Sequence, residues 1–442
     1  MIDWMNLMAL DTGGCQASTD DDNAAGYNGF YAGATMLVTG SWNSATDQHL
    51  WEKMNFFRYW PLWNTYDNDT PLLQNGFGLG IMEVVAGRYK ELDPAMAGLA
   101  NWYSAQHGPS DKSATFLPGL IWGDRRVAAK SPQELKLPLA KFLRGADVCI
   151  SRDSWQADGL LVGMRSRYLD TLRYEGASGC VWIYRQNQPI LVRPRSGKWR
   201  DQATTCSGLG FRDPNVVNKR LGTSQGAGAT YWGRGIGRVD NALVAANVGD
   251  YFPNCLSQAI VEPAFHIFTT RLDPLYTFDE VERAERTLVH FPQDNLVVIV
   301  DQFEIPESIE YYSTLRLPDT PDISETTVAW SNAVANVVSF DGTRPIWIGG
   351  AEKELMTPWG EWITSRKFAP GYSRDDEKRL RYGLGSVWTH GKGSNTIVSA
   401  IHVGSKQAPS IERLPTGVRV AGYSFDLSGG NVRLLTDQTK LR

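Results

Sequence analysis

The apolar positions change period near residue 146. Before that point they recur every three or four residues, the spacing of one helix face. Residues 1–10 read as a helix or the end of one. From Tyr27 the run YNGFYAGATMLVTGSW places Phe30, Ala34, Leu37 and Val38 on one side. A third helix starts at Thr46, with Leu50, Met54 and Phe57 in register. Ile81 to Lys90 and Pro94 to Gln106 predict two more, the last led by Asp93 as cap and Pro94 in its first turn. Between them RYWPLWNTYDNDTPLLQNGFGLG is an aromatic loop broken by Pro61, Pro71 and Gly76. Residues 108–132 are loop around the short apolar piece FLPGLIWG.

After residue 146 the chain alternates and turns on Gly and Pro. VCISR, GLLVGMRSR, GCVWIYRQNQPILVRP, RVDNALVAANVGDY, AFHIFTTRL, RAERTLVHFP, NLVVIVDQFE, IEYYSTLRLP, ANVVSF, RPIWIGG, GSVWTH, NTIVSAIHVG, GVRVAGYSFDL and NVRLLT read as strands. So many strands without long helices between them predict antiparallel sheets packed as a sandwich. The expected architecture is a helical part over 1–145 and a large antiparallel β-sandwich over 146–442, with no internal repeat and no low-complexity linker. The stretch from Ala146 to Arg195 sits at this switch and concentrates Arg, Tyr and acidic residues, so it is expected to form one wall of a junction site.

Composition narrows the function classes. A net charge of -4 over 442 residues gives no reason to expect nucleic-acid or anionic-membrane binding. No apolar run reaches the roughly 18 residues of a membrane span. MIDWMNLMALD lacks the basic start of a signal peptide. The five Cys, at 15, 149, 180, 206 and 255, are widely spaced and odd in number, which predicts neither a zinc site nor a disulfide framework. Sixteen Trp suit sugar-stacking platforms as well as a well-filled core. The three Asp at 20–22 can bind a cation or cap the next helix, capping being the commoner role. GRGIGR at 233–238 precedes a strand, not a helix, and reads as a turn rather than a nucleotide motif.

Four phrases, in order, carry a family resemblance over residues 20 to 305. YNGFYAGATML resembles a toroid phrase in which Asn28, Gly29 and Tyr31 take the acid-Gly-x-Tyr positions. NGFGLG comes after a Pro-rich loop and resembles an FGD-like turn, with Leu79 in the Asp position. RDSW at 152–155, continued by QADGLLVGMRS, resembles the strand that enters the sandwich. RAERTLVHFPQDNLVVIVDQFE, with Arg286, resembles later sandwich strands. Together they are similar to the heparinase II/III-like polysaccharide lyases. The resemblance implies an (α/α) toroid followed by an antiparallel β-sandwich, and cleavage of uronic-acid polysaccharides by β-elimination.

Two departures bear on the chemistry. The family's His-x-His-x-Asp-x-Gly run corresponds here to Thr171-Leu-Arg173-Tyr-Glu175-Gly-Ala. Both His are replaced and one acid remains, so no metal and no other cofactor is expected there. The chain also holds only about five helices, so the toroid is expected to be partial. Such a half-ring would leave Trp4, Leu7 and Met8 uncovered, which predicts a homo-oligomer or a partner chain on that face. The family likeness points to a secreted or periplasmic protein, although the chain shows no signal peptide.

β-Elimination requires a neutralised carboxylate, a base for the C5 proton and an acid for the leaving oxygen. The resemblance makes Tyr31 the base or acid, with Tyr27 one turn earlier as the fallback. Arg173 supplies a fork of donors for a substrate carboxylate, and Asn28 lies near enough in sequence to Tyr31 to touch substrate. Arg165, Arg167, Tyr168 and Tyr174 are interleaved on the same stretch and suit an acidic sugar; Glu175 can orient an Arg or bind a cation. Trp60, Trp63 and Tyr66 can stack on sugar rings or anchor their loop. Of the six His, none pairs at ligand spacing; His266 and His290 fall within strands and read as structural, and His107, at a helix end, is the spare catalytic candidate. The partner expected on this reading is an acidic polysaccharide or oligosaccharide. A glycoside hydrolase, which needs two carboxylates such as Glu175 with Asp170 or Glu83, and a non-catalytic carbohydrate-binding protein descended from a lyase stay open.

Overall fold

The computed structural model describes residues 83, 86–87, 89–91, 93–107, 123–143, 148–156, 158–166, 179–186, 188–191, 207–212, 256–273, 281–305, 309–341, 345–351, 354–356, 362–364, 382–390, 393–429 and 431–435. The chain divides into two compact units, Met1–Ile150 with Trp155–Ala157, and Ser151–Ser154 with Asp158–Arg442. The described part is mostly antiparallel sheet, with little helix.

In the first unit the helix α1 spans Pro94–His107. Asp93 caps it: its Oδ1 accepts the Met96 amide at 2.9 Å, satisfying a donor that the first turn leaves open. Met96, Leu99, Ala100 and Tyr103 are buried, a stripe at helical spacing. The carbonyl of Gly98 accepts from Lys130 at 2.9 Å, and Asn101 Nδ2 donates to the carbonyls of Asp124 and Val127 at 3.0 and 2.8 Å. These bonds hold the irregular segment 123–130 against the helix. Residues 83, 86, 87 and 89 are also helical. The earlier expected helices, and with them the toroid-like ring, lie outside the described residues.

The strands, in chain order, begin with β1 Ala140–Leu143, β2 Val148–Arg152, β3 Leu160–Arg165, β4 Val181–Arg185, β5 Gln188–Leu191 and β6 Leu209–Arg212. They continue with β7 Leu256–Glu262, β8 Phe265–Arg271, β9 Arg283–Phe291, β10 Leu296–Ile305 and β11 Ile309–Leu317. Next come β12 Asp322–Ser324, β13 Thr327–Trp330, β14 Ala333–Ser339, β15 Ile346–Ala351, β16 Glu354–Met356 and β17 Trp362–Thr364. The last are β18 Tyr382–His390, β19 Gly393–Val403, β20 Ile411–Leu414, β21 Gly417–Val420, β22 Tyr423–Asp426 and β23 Arg433–Leu435.

The second unit is built on an eight-stranded sheet ordered β12-β13-β14-β19-β10-β9-β8-β7. Its centre is β10, LVVIVDQFEI, in which every residue but one is buried. A strand covered on both faces needs apolar residues on both, which is why the run is continuous rather than alternating. One face packs on the four-stranded sheet β20-β21-β22-β23: Val289, Phe291, Leu296, Val298 and Val300 meet Val418, Val420, Phe425 and Val432. Phe291 stacks on Tyr423 with ring centroids 3.9 Å apart. On the other face, Ala284, Phe303, Val337 and Ile397 pack with Leu209 of β6, which belongs to the sheet β15-β18-β11-β6.

Several expected strands need correction. GCVWIYRQNQPILVRP is a hairpin, β4 and β5, because the chain turns at Gln186 with φ 53°. GVRVAGYSFDL is likewise two strands, β21 and β22, turning through Ala421 and Gly422, both at positive φ. The edge strand β7, LSQAIVE, was not expected; none of its residues is fully buried, and its pairing with β8 decides it. RVDNALVAANVGDY lies outside the described residues. In β3, Gly163 is opposite Trp182 of β4, and a Cβ there would lie 2.2 Å from Trp182 Cε2, so the indole lies across the glycine.

Candidate functional site

The β9–β10 hairpin turns through Pro292–Asp294 and Asn295, whose φ of 50° is a left-handed conformation that Asn tolerates. The turn sets the register: Leu296 pairs with Phe291, and Asp301 therefore stands opposite Arg286. Arg286 Nε donates to Asp301 Oδ1 at 2.5 Å and Nη2 to Oδ2 at 2.8 Å, a two-pronged ion pair with both side chains 1% exposed. Nη1 donates to the carbonyls of Gly179 at 2.7 Å and Ser207 at 2.9 Å. Nη2 reaches Ser313 Oγ at 3.4 Å. All five guanidinium N–H groups thus have acceptors, as a buried charge requires.

The next position along the same sheet face is Thr270 on β8, the cross-strand partner of Arg286. Its hydroxyl bonds that of Ser166 at 2.7 Å, and both residues are buried. Ser166 comes directly after β3, and Gly179 directly precedes Cys180 and β4. One cross-strand pair therefore grips both ends of the connection between β3 and β4. Gly179 carries φ +74°, and a Cβ there would meet Leu272 Cδ1 at 3.0 Å, so glycine suits the position on both counts.

A second polar cluster lies on the same sheet face. His266 and His290 are cross-strand partners on β8 and β9, with ring centroids 5.9 Å apart. Ser151 Oγ, on β2, lies 2.6 Å from the Nδ1 of each. All three side chains are buried. Burial lowers the pKa of His266 to about 4 and that of His290 well below its ordinary value, the charge on His266 adding to the effect at His290. Both rings are neutral at physiological pH. Among the described residues no three His, Cys, Asp or Glu converge in a way that could hold a metal ion. Also among them, no helix is long and apolar enough to cross a membrane.

The expected site residues Tyr27, Asn28, Tyr31, Trp60, Trp63, Tyr66, Arg167, Tyr168, Arg173, Tyr174 and Glu175 lie outside the described residues, as do Trp4, Leu7 and Met8. Arg165 closes β3 and His107 closes α1; their side chains also fall outside what is described. Five of the candidates, Arg167 to Glu175, belong to the connection whose ends Thr270 and Arg286 hold. Sequence reasoning singled out Arg286 but missed Asp301, Thr270 and Ser166. The hairpin register could have placed Asp301. Nothing could have placed Ser151, which lies 115 and 139 positions from its two histidines.

No protein-family model matches the chain, and no curated protein matches it. Among solved structures, the heparan sulfate lyase HepC from Pedobacter heparinus is 11% identical with a TM-score of 0.48, over 81% of this chain and 48% of that one. The heparinase III product of BT4657 is 10% identical with a TM-score of 0.47, over 77% of this chain and 46% of that one. A putative aldose 1-epimerase from Escherichia coli K12 is 9% identical with a TM-score of 0.30, over 58% of this chain and 99% of that one. The chain spans about half the length of the two lyases. This is a distant structural relationship only, and it establishes no activity.

Proposed function

We propose that the chain is a polysaccharide lyase that cleaves a uronic-acid polysaccharide by β-elimination. The ordered sequence phrases suggest the chemistry. The observation that carries the reading is the grip of Thr270 and Arg286 on Ser166 and Gly179. It anchors, on a rigid buried sheet, the connection that carries Arg167, Tyr168, Arg173 and Tyr174, and a binding surface needs such support. On this reading Arg173, with Arg165 and Arg167, neutralises and binds substrate carboxylates, and Asn28 assists. Tyr31 removes the C5 proton or protonates the leaving oxygen, with Tyr27 and His107 as the other candidates for proton transfer. The C5–H electron pair becomes the C4–C5 double bond as the C4–O bond breaks, and the leaving oxygen takes a proton. Trp60, Trp63, Tyr66, Tyr168 and Tyr174 face the sugar rings, and Glu175 orients an Arg. No step is assigned to a metal.

The test is ultraviolet absorbance during incubation with a panel of uronic-acid polysaccharides, wild type beside Tyr31→Phe. The expected result is a rise with at least one substrate that the variant loses. A rise that survives in the variant keeps the lyase and removes Tyr31 from the mechanism. Silence across the panel overturns the reading; release of reducing ends would then mark a hydrolase, and binding without turnover a carbohydrate-binding protein.

A further inference from the structure

We infer that Ser151, His266 and His290 form an acid-released latch, in which one hydroxyl holds two neutral histidines in opposite tautomers and pins Ser151 to the eight-stranded sheet. The hydrogen count leads there. A serine hydroxyl has one hydrogen, and two Nδ1 atoms stand 2.6 Å from it. Both cannot accept that hydrogen, so at least one Nδ1 carries its own and donates to Oγ. If both donated, the hydroxyl hydrogen would need another acceptor, and among the described residues Ser151 Oγ has only these two bonds. One ring therefore donates and the other accepts.

His290 decides the direction. Its Nε2 is buried with no hydrogen-bond partner among the described residues. An orphaned N–H is rarer in folded proteins than an orphaned acceptor. The arrangement that avoids it protonates His290 at Nδ1: His290 Nδ1–H donates to Ser151 Oγ, whose hydrogen goes to His266 Nδ1. His290 Nε2 is then a bare lone pair, and His266 carries its proton on Nε2.

A further proton breaks this chain at either end. On His290 it creates a buried N–H at Nε2 without an acceptor. On His266 it turns the accepting Nδ1 into a donor that points at the serine hydrogen. Among the described residues no free acid faces the pair to offset the charge. On the sheet face that holds both rings, Arg286 and Asp301 are committed to each other. Val261 on β7 and Val297 on β10 are the cross-strand neighbours of His266 and His290. On β2, Cys149 shares the parity of Ser151, and Asp153 just beyond the strand lies 3.8 Å from Arg185. The alternation that ends at Ser166 brings Leu160, Val162 and Met164 of β3 to the same side, with their partners Arg185, Ile183 and Val181 of β4; of these only Arg185 is charged, and its Nη2 is engaged by Asn295 Oδ1 at 2.6 Å. His402 pairs with Leu296 and belongs to the opposite face.

Acid therefore favours the unfolded chain. That chain binds protons at the ordinary histidine value of 6.5, whereas burial holds the folded His266 down to about 4 and the folded His290 well below its ordinary value. The latch's full contribution is present above the unfolded value and is lost as pH falls, by up to about tenfold in the folding constant per histidine for each pH unit.

Two measurements test it. Imidazole nitrogen resonances at about pH 7.5 should show His290 as the Nδ1–H tautomer and His266 as the Nε2–H tautomer; the same tautomer for both, or the reverse, overturns the latch. Urea unfolding at about pH 7.5 and 5.5 should show a tenfold to hundredfold loss of the wild-type folding constant, much reduced in His266→Gln/His290→Gln. A flat wild-type profile, or an undiminished loss in the variant, overturns it. Should that variant not fold, the nitrogen titration of the wild type decides: either ring protonating near the ordinary value sinks the inference.

Discussion

Thr270 and Arg286 are cross-strand partners, and each holds one end of the same connection, Thr270 through Ser166 and Arg286 through the carbonyl of Gly179. Two adjacent positions of one sheet thereby fix the entry and exit of a segment whose own sequence, rich in Arg and Tyr, offers little apolar surface for a core. The same guanidinium also ties the carbonyl of Ser207, just before β6. A buried charge is costly to desolvate, and here its five hydrogen bonds offset that cost while joining four separate segments.

Arg286→Met should destabilise the second unit by about 3–5 kcal/mol, because it leaves Asp301 buried and unpaired. Arg286→Met/Asp301→Leu should recover part of that loss and not all. The carbonyls of Gly179 and Ser207 lose a donor in both variants, at about 1–3 kcal/mol each. Urea midpoints of the two variants beside wild type check the order; a double variant less stable than the single one would contradict it.

Gly179→Ala should cost about 1–2 kcal/mol for the left-handed backbone alone. The added methyl would also crowd Leu272, whose Cδ1 lies 3.0 Å from the position of a Cβ. A thermal unfolding midpoint unchanged from wild type would show that the backbone relaxes there at no cost.

Asp93→Ala should weaken α1 by about 1 kcal/mol, since it removes the acceptor of the Met96 amide. Asp93→Asn should retain most of the stability, because the amide oxygen can accept the same bond. Hydrogen exchange at the amides of the first helical turn reads the difference directly: fast in the Ala variant, near wild type in the Asn variant.

How far the sequence could be read depended on the range of the interaction. The cap at Asp93 and the first turn at Pro94 are local, and both stand where the pattern placed them. The core strand β10 announced itself as an unbroken apolar run between turn residues. The hairpin β4–β5 did not, because its turn at Gln186 needs a left-handed backbone that the residue type does not advertise. The candidate sugar-binding residues were chosen by chemistry and resemblance, and the described part of the structure supplies their frame rather than their geometry.

By itself, the sequence determined the antiparallel β-rich character of the later part of the chain and the helix at Pro94–His107. These depend on side-chain alternation and on caps within a few residues. Only the tertiary structure decided that Arg286 closes on Gly179 and Ser207, and that Ser151 lies between His266 and His290. Those contacts join residues separated by scores of positions, and their partners are selected by strand order and burial, which no local pattern encodes.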